Sequence, residues 1–490
     1  MYRQLLAYLT ALMLTLGPVG PFPGASGAEG QRRALLLGVD QFVSQPSTSP
    51  TALSNLSRLE WVLRQDAGGY ARITTRHNLV LGAEDFIALV KEAFSGAQPG
   101  DLSFFYITTH GLYTEGEDPM SFSLLLSDGE KEYALTAGEL YAALAPLPGH
   151  KLLIIDACNS GALIDRGMPG TGQCSLFLAG DFHVLTSAGG SEPSFVWETG
   201  TGSYRGGSYF ADALLNGIAP WGRYGADQNR DGIITLKELH AYLLDHYGSS
   251  TPRVYPLNDD LPVLCYDQNR MAGQAPAIVT QVMLEQRVLT PAQRELAFSY
   301  TLHMPTRLAY QLVYHREEQW QFAEAQVFTG DLDDRIPGRK EKNLLLDGQQ
   351  GDASGYVLLM IIAYDEDSAT PQAEALLLVE PARGNPQLAV EVGTLTFAPR
   401  QGQEMPLMLR HAFPLRLTVH ILDEANRVVA TLLGDQPTRP EHLPGGGSQL
   451  YWDGRLQNGR PATPGRYRAR VSAMLDGRRY TAISSAFFLE

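Results

Sequence analysis

Lys151-Leu152-Leu153-Ile154-Ile155-Asp156-Ala157-Cys158-Asn159-Ser160-Gly161 is the stretch on which the fold turns. Its first half is a short, uninterrupted apolar run, the kind needed by a parallel strand covered on both faces. Its second half is a polar exit carrying a carboxylate and a thiol two residues apart. Side chains two apart on a strand point the same way, so Asp156 and Cys158 are expected to share a face at the mouth of a sheet. A second run of this kind, Leu102-Ser103-Phe104-Phe105-Tyr106-Ile107, leads into Thr108-Thr109-His110-Gly111. The ring and the thiol stand at positions 110 and 158, 48 residues apart. One strand–helix excursion fills that distance and brings neighbouring strand ends together.

Working outward, residues 34–39 form another apolar run. Leu56, Leu59, Val62 and Leu63 recur at helical spacing, as do Phe86, Leu89, Val90 and Phe94. Residues 121–127 read as a strand, and 136–144 as a helix opened by a Thr136/Glu139 capping box. Residues 183–187 and 209–215 continue the alternation. Such repetition predicts a mainly parallel sheet with helices on both faces, whose reactive residues gather at the carboxyl ends of the strands.

The chain has 490 residues, enough for several domains, and a formal net charge of −15. That acidic excess argues against a nucleic-acid partner. Arg3 followed by the apolar residues 5–16 and the small residues Ser26-Gly27-Ala28 reads as a signal peptide over 1–28; the alternative is an anchor left in place. The apolar run is shorter than the ~18 residues a spanning helix needs. An exported protein is expected, with no membrane insertion once the signal is removed. Only three cysteines occur, Cys158, Cys174 and Cys265. At most one bridge is possible, with Cys174 and Cys265 as candidates, which leaves Cys158 as a thiol to be explained.

A thiol becomes a good nucleophile as the thiolate, and a neighbouring imidazole promotes that state. The same imidazole then returns the proton to a leaving amine. Backbone N–H groups at the Gly111 and Cys158 turns are candidate oxyanion donors.

These motifs resemble the caspase-like superfamily of metacaspases, paracaspases, clostripains and caspases, whose hallmarks are a strand ending in His-Gly and a later one ending in Asp-x-Cys-x-x-Gly. The resemblance rests on residues 34–40, 104–111 and 154–161, extends to 186–191 and 207–217, and covers about Arg33 to Tyr266. It implies an α/β caspase-hemoglobinase-like sandwich over 29–268 and a cysteine endopeptidase with His110 and Cys158 as catalytic residues. True caspases carry Gln-Ala-Cys where this chain has Asp156-Ala157-Cys158, which places it with the metacaspase-like branch. In that branch the acid two before the nucleophile lines the first specificity pocket. Asp156 then implies cleavage after Arg or Lys in a protein or peptide substrate, and Asp40 is a further candidate for the same pocket. Two other readings stand beside this one, a catalytically inactive binding or assembly protein and a peptide ligase working through the same thioester.

Residues 227–238 match an EF-hand loop at the positions sequence can test. Asp227, Asn229 and Asp231 offer oxygens, Gly232 the sharp turn, Ile233 a carbonyl, Thr235 a hydroxyl or its water, and Glu238 a carboxylate. Ca2+ is the expected ion; no organic cofactor is expected. Pro220, Gly222 and Gly225 forbid a regular helix before the loop. The alternative is a polar turn feeding a helix through a Thr235/Glu238 capping box.

Residues 268–277 read as a linker, and β patterns follow. Leu296, Phe298, Tyr300 and Leu302 alternate, and 356–363 is a buried strand. After a break at 381–386, Leu415, Leu417, Val419 and Ile421 share one face and Tyr467, Ala469, Val471 and Ala473 another. Two β-sandwich modules are expected, over 277–383 and 388–490. The segments 450–454, 458–461 and 464–467 resemble the Ig-like module of flagellar hook-capping proteins, with Trp452 as a core anchor and no catalytic part.

Overall fold

The computed structural model describes residues 30–490 apart from 115–120, 166–174, 179–180, 199–205, 268–277, 290–292, 294, 317–318, 322–323, 331–334, 347–354, 366–367, 380–385, 400–402, 413–414, 439–447 and 476. The signal-peptide region, Cys174, the linker and most of the 381–386 break lie outside these residues. No described helix is long and apolar enough to cross a membrane.

The first block runs β1 (Arg32–Gly38), α1 (Thr51–Arg64), β2 (Tyr70–His77), α2 (Ala83–Ala93), β3 (Leu102–Thr108), β4 (Gly111–Leu112), β5 (Ser123–Ser127), β6 (Glu132–Thr136), α3 (Ala137–Leu144), β7 (His150–Asp156) and β8 (Phe182–Thr186). It continues with β9 (Val196–Glu198), β10 (Gly206–Ser208), α4 (Tyr209–Ile218), β11 (Ile233–Thr235), α5 (Leu236–His246), β12 (Arg253–Tyr255) and β13 (Pro262–Cys265). The main sheet has the order β12-β8-β7-β3-β1-β2. It is parallel except for the edge strand β12, which runs antiparallel to β8.

Its strands are apolar on both faces because helices cover both. Ala34, Leu36, Phe104, Tyr106, Leu152 and Ile154 pack with α1, α4 and α5. Leu35, Leu37, Phe105, Ile107, Leu153 and Ile155 pack with α2 and α3. The period of two along each strand sorts these residues between the layers. The Thr136/Glu139 capping box forms as expected.

One expectation needs correcting. Residues 123–127 are not part of the parallel sheet; β5 joins β4 and β6 in a separate antiparallel sheet of three. An apolar run alone cannot report its partner, and the short β4–β6 segments leave no room for a crossover. The β region after the linker packs directly on the first block. Leu358, Met360, Leu376 and Leu378, on strands Gly355–Asp365 and Ser368–Val379, share one core with Leu239, Leu243 and Tyr247. Gly248 marks the closest approach, where a β-carbon would sit 2.5 Å from Leu358 Cδ1.

The opposite face of that sheet joins the sheet containing Glu295–Leu302 around Phe298, Tyr300, Tyr310 and Leu359. The last region likewise closes two sheets on one core. Leu415, Leu417, Val419 and Ile421 lie beside Tyr467, Ala469, Val471 and Ala473 on adjacent strands of one sheet, with Leu417 opposite Ala473 and Val419 opposite Val471. Trp452 is fully buried against Phe397, Tyr467 and Phe487, its Nε1 donating to Arg455 O at 2.8 Å.

Candidate active site

β3 and β7 are neighbours at the centre of the sheet, with Thr108 opposite Asp156. The two exits therefore leave side by side, and Thr109 N donates to Asp156 O at 3.2 Å. They touch main chain to main chain. A β-carbon on Gly111 would lie 1.9 Å from the Cys158 carbonyl oxygen, so only glycine fits there. Asn159 follows in the left-handed region, φ 58°, turning the chain sharply into the short 3-10 helix Ser160–Ile164.

His110 is partly exposed and held on two sides. Its Nε2 lies 3.1 Å from Pro46 O, and Phe42 packs on the ring at 4.4 Å between centroids. A carbonyl only accepts, so Nε2 carries the hydrogen and the neutral ring keeps its lone pair on Nδ1. The loop bearing Phe42 and Pro46 is itself tied down by Glu132, which accepts from Val43 N and Ser44 N.

Cys158 is a half-buried free thiol. Its described partner is Ser194, not His110. Ser194 N donates to Sγ at 3.3 Å, and Sγ donates to Ser194 O at 3.5 Å. Burial pushes the thiol above its ordinary range, the Asp156 charge adds to that, and the Ser194 N–H pulls the other way. In this conformation the sulfur is held as a thiol.

Asp156 sits 3% exposed among hydroxyls rather than beside a cation. Tyr106 (3.3 Å), Thr108 (3.4 Å) and Ser208 donate to Oδ2, and Ser194 donates to Oδ1 at 3.4 Å. Burial raises its carboxyl from 3.8 to about 6, against the pull of these four donors, Ser208 foremost. The Ser208 hydroxyl is fully used: it also accepts from Ala211 N, capping α4, and from Asn55 Nδ2. Asp40 stands apart. Fully buried, it accepts from Ala52 N (2.7 Å) and Leu53 N (3.1 Å) at the start of α1, from Thr48 Oγ1, and meets His77 Nε2 at 2.9 Å. Those contacts make it an anchor of the α1 N-terminus.

Sequence reading missed Ser194, Pro46 and Ser208. Of these only Ser208 left a signal, as a serine immediately before an apolar helical run.

Within the 227–238 loop the polar side chains bond one another and the loop's own main chain. Asp227 accepts from Arg230 N, Gly232 N and Tyr266 OH. Asn229 and Asp231 bond each other, Asp231 also accepts from Ile233 N, and Glu238 closes the capping box with Thr235. Among the described residues no three His, Cys, Asp or Glu side chains converge on one point. Ahead of the 227–238 loop the chain makes a short 3-10 turn over Pro220–Gly222, as the proline and glycines require. The Cys174–Cys265 pairing falls outside the described residues; Cys265 Sγ accepts from Arg32 Nη2 at 3.3 Å.

No family model matches the chain. Metacaspase-1 of Mycosarcoma maydis is 26% identical over 216 residues, 40% of this chain and 48% of that protein, so the chain spans about half the length of the curated relative it matches. Among solved structures, caspase-1 of Spodoptera frugiperda aligns over 50% of this chain and 93% of its own at 17% identity and a TM-score of 0.32. A Geobacter sulfurreducens protein aligns over 50% and 97% at 16% identity and a TM-score of 0.33.

Proposed function

We propose that this chain is an exported, caspase-like cysteine endopeptidase that hydrolyses peptide bonds after Arg or Lys. The observation that carries the reading is the contact between the His110-Gly111 and Cys158 exits on adjacent strands, with His110 Nε2 donating to Pro46 and Nδ1 left with its lone pair. The similarity to a metacaspase supports it.

In the proposed reaction Nδ1 takes the Cys158 proton as the sulfur attacks the scissile carbonyl carbon. The C–N bond then breaks, with the imidazolium giving its proton to the departing amine. Water repeats the sequence on the thioester and releases the acid. Main-chain N–H groups at Gly111 and Cys158 are the proposed oxyanion donors. Asp156 supplies negative charge for a guanidinium or ammonium side chain.

The test compares mature protein with Cys158→Ala on reporter peptides ending in Arg, Lys or Asp. Cleavage confined to Asp reporters would remove the specificity, and an active Cys158→Ala would remove the mechanism. Sequencing the amino terminus of protein from culture fractions tests export, with a start near Glu29 expected. Calcium dependence is a separate proposal supported by the loop's residue pattern, and Glu238 would have to leave its box with Thr235. Its test is a calcium titration of the melting temperature in wild type and Glu238→Gln. A wild-type shift lost in the variant supports it; no shift in either overturns it.

A further inference from the structure

One residue touches both halves of this site. The Ser194 main chain holds the Cys158 sulfur through its N–H and C=O, while its hydroxyl holds Asp156 Oδ1. The segment around it is stitched down at other points. Asn159 N donates to Glu192 O at 2.8 Å and Asn159 Nδ2 to Gly190 O at 3.0 Å. Glu192 accepts from Thr251 N and Oγ1, and Ser250 donates to Pro193 O. Residues 190–194 therefore form a strap over the nucleophile. Of their described polar contacts, only the Ser194 hydroxyl reaches Asp156.

Resting on the basic-residue reading above, we propose that Ser194 is a positioning residue that couples filling of the Asp156 pocket to release of the Cys158 thiol. A guanidinium or amidinium arriving at Asp156 competes with the Ser194 hydroxyl for Oδ1, since it brings an opposite charge and paired N–H donors that the hydroxyl lacks. Losing that anchor lets the Ser194 main chain draw back from the sulfur. The thiol is then free to turn toward His110. A substrate without a basic side chain leaves the strap in place, so the same contact screens substrates by reactivity as well as by binding.

The experiment measures alkylation of Cys158 by iodoacetamide, in which the sulfur bonds to the methylene carbon and iodide leaves. Benzamidine serves as the cationic probe, and its binding is measured separately by calorimetry. Saturating benzamidine is expected to raise the wild-type rate by about tenfold, the scale of one or two hydrogen bonds released. Ser194→Ala should react at the raised rate without benzamidine and gain little from it. Ser194→Thr, which keeps the hydroxyl, should behave as wild type.

Benzamidine that binds without accelerating alkylation overturns the coupling alone. Full acceleration persisting in Ser194→Ala does the same, since the gain would then come from neutralising Asp156. Failure of benzamidine to bind overturns the basic-residue reading and the coupling with it.

Discussion

Replacing Asp156 by Asn should make the protein more stable relative to wild type at neutral pH than in acid. Burial raises the carboxyl from 3.8 to about 6 in the fold. A raised acid favours the folded state when protonated, so its penalty appears as pH climbs through 3.8 and is complete above about 6. The shift corresponds to about 3 kcal/mol at about pH 7.5, and to well under 1 kcal/mol at about pH 4. Asn retains one acceptor oxygen for Tyr106, Thr108 and Ser208, and the Ser194 hydroxyl can rotate to receive its NH2.

Urea unfolding of both proteins at the two pH values isolates the effect, because every other titrating group cancels in the difference. The stability gap between variant and wild type should move in favour of Asn by about 2–3 kcal/mol from acid to neutral pH. Activity on Arg reporters should meanwhile fall by about a hundredfold, the scale of removing one partner of a buried charge pair. For wild type the KM for basic reporters should rise as pH falls through about 6, where the carboxylate takes up its proton. A gap that stays constant with pH would show that Asp156 carries no such penalty, and the account of its pocket would fall.

Gly111→Ala should force the two exits apart, since its methyl meets main chain at 1.9 Å. A loss of about a hundredfold in kcat/KM is expected, and unchanged kinetics would refute the close contact. Asp40→Asn should lower stability by about 1–3 kcal/mol in urea unfolding while leaving the KM for Arg reporters unchanged; a raised KM would return Asp40 to the pocket. Trp452→Ala, which empties the centre of the last core, should destabilise the protein by about 3–5 kcal/mol, and a value under 1 kcal/mol would contradict its burial.

What the sequence made legible follows from period and adjacency. The apolar runs at β1, β3 and β7 announced a sheet covered on both faces because each residue there must face a helical layer. The matched exits single out His110, Gly111, Asp156 and Cys158 in the sequence itself. Ser194 and Pro46 were not visible in this way, since their part is played by main-chain atoms that any residue carries. Asp40 is ambiguous for the opposite reason. A carboxylate at a strand end looks alike whether it faces a substrate or the amides of the next helix. The same ambiguity affects Asp227, Asn229, Asp231 and Glu238, whose side chains satisfy their own loop as well as they would an ion.

The seam at Gly248 has a consequence for how the molecule can be handled. Leu358 and Leu376 cover α5 and the turn after it, and Glu374 accepts from Gly248 N at 3.2 Å. Cutting the chain near position 268 would strip that cover and leave a greasy ledge beside the α/β block, inviting clumping in solution. The β region thus acts as the block's outer wall, and expression of the α/β half by itself calls for polar replacements along α5.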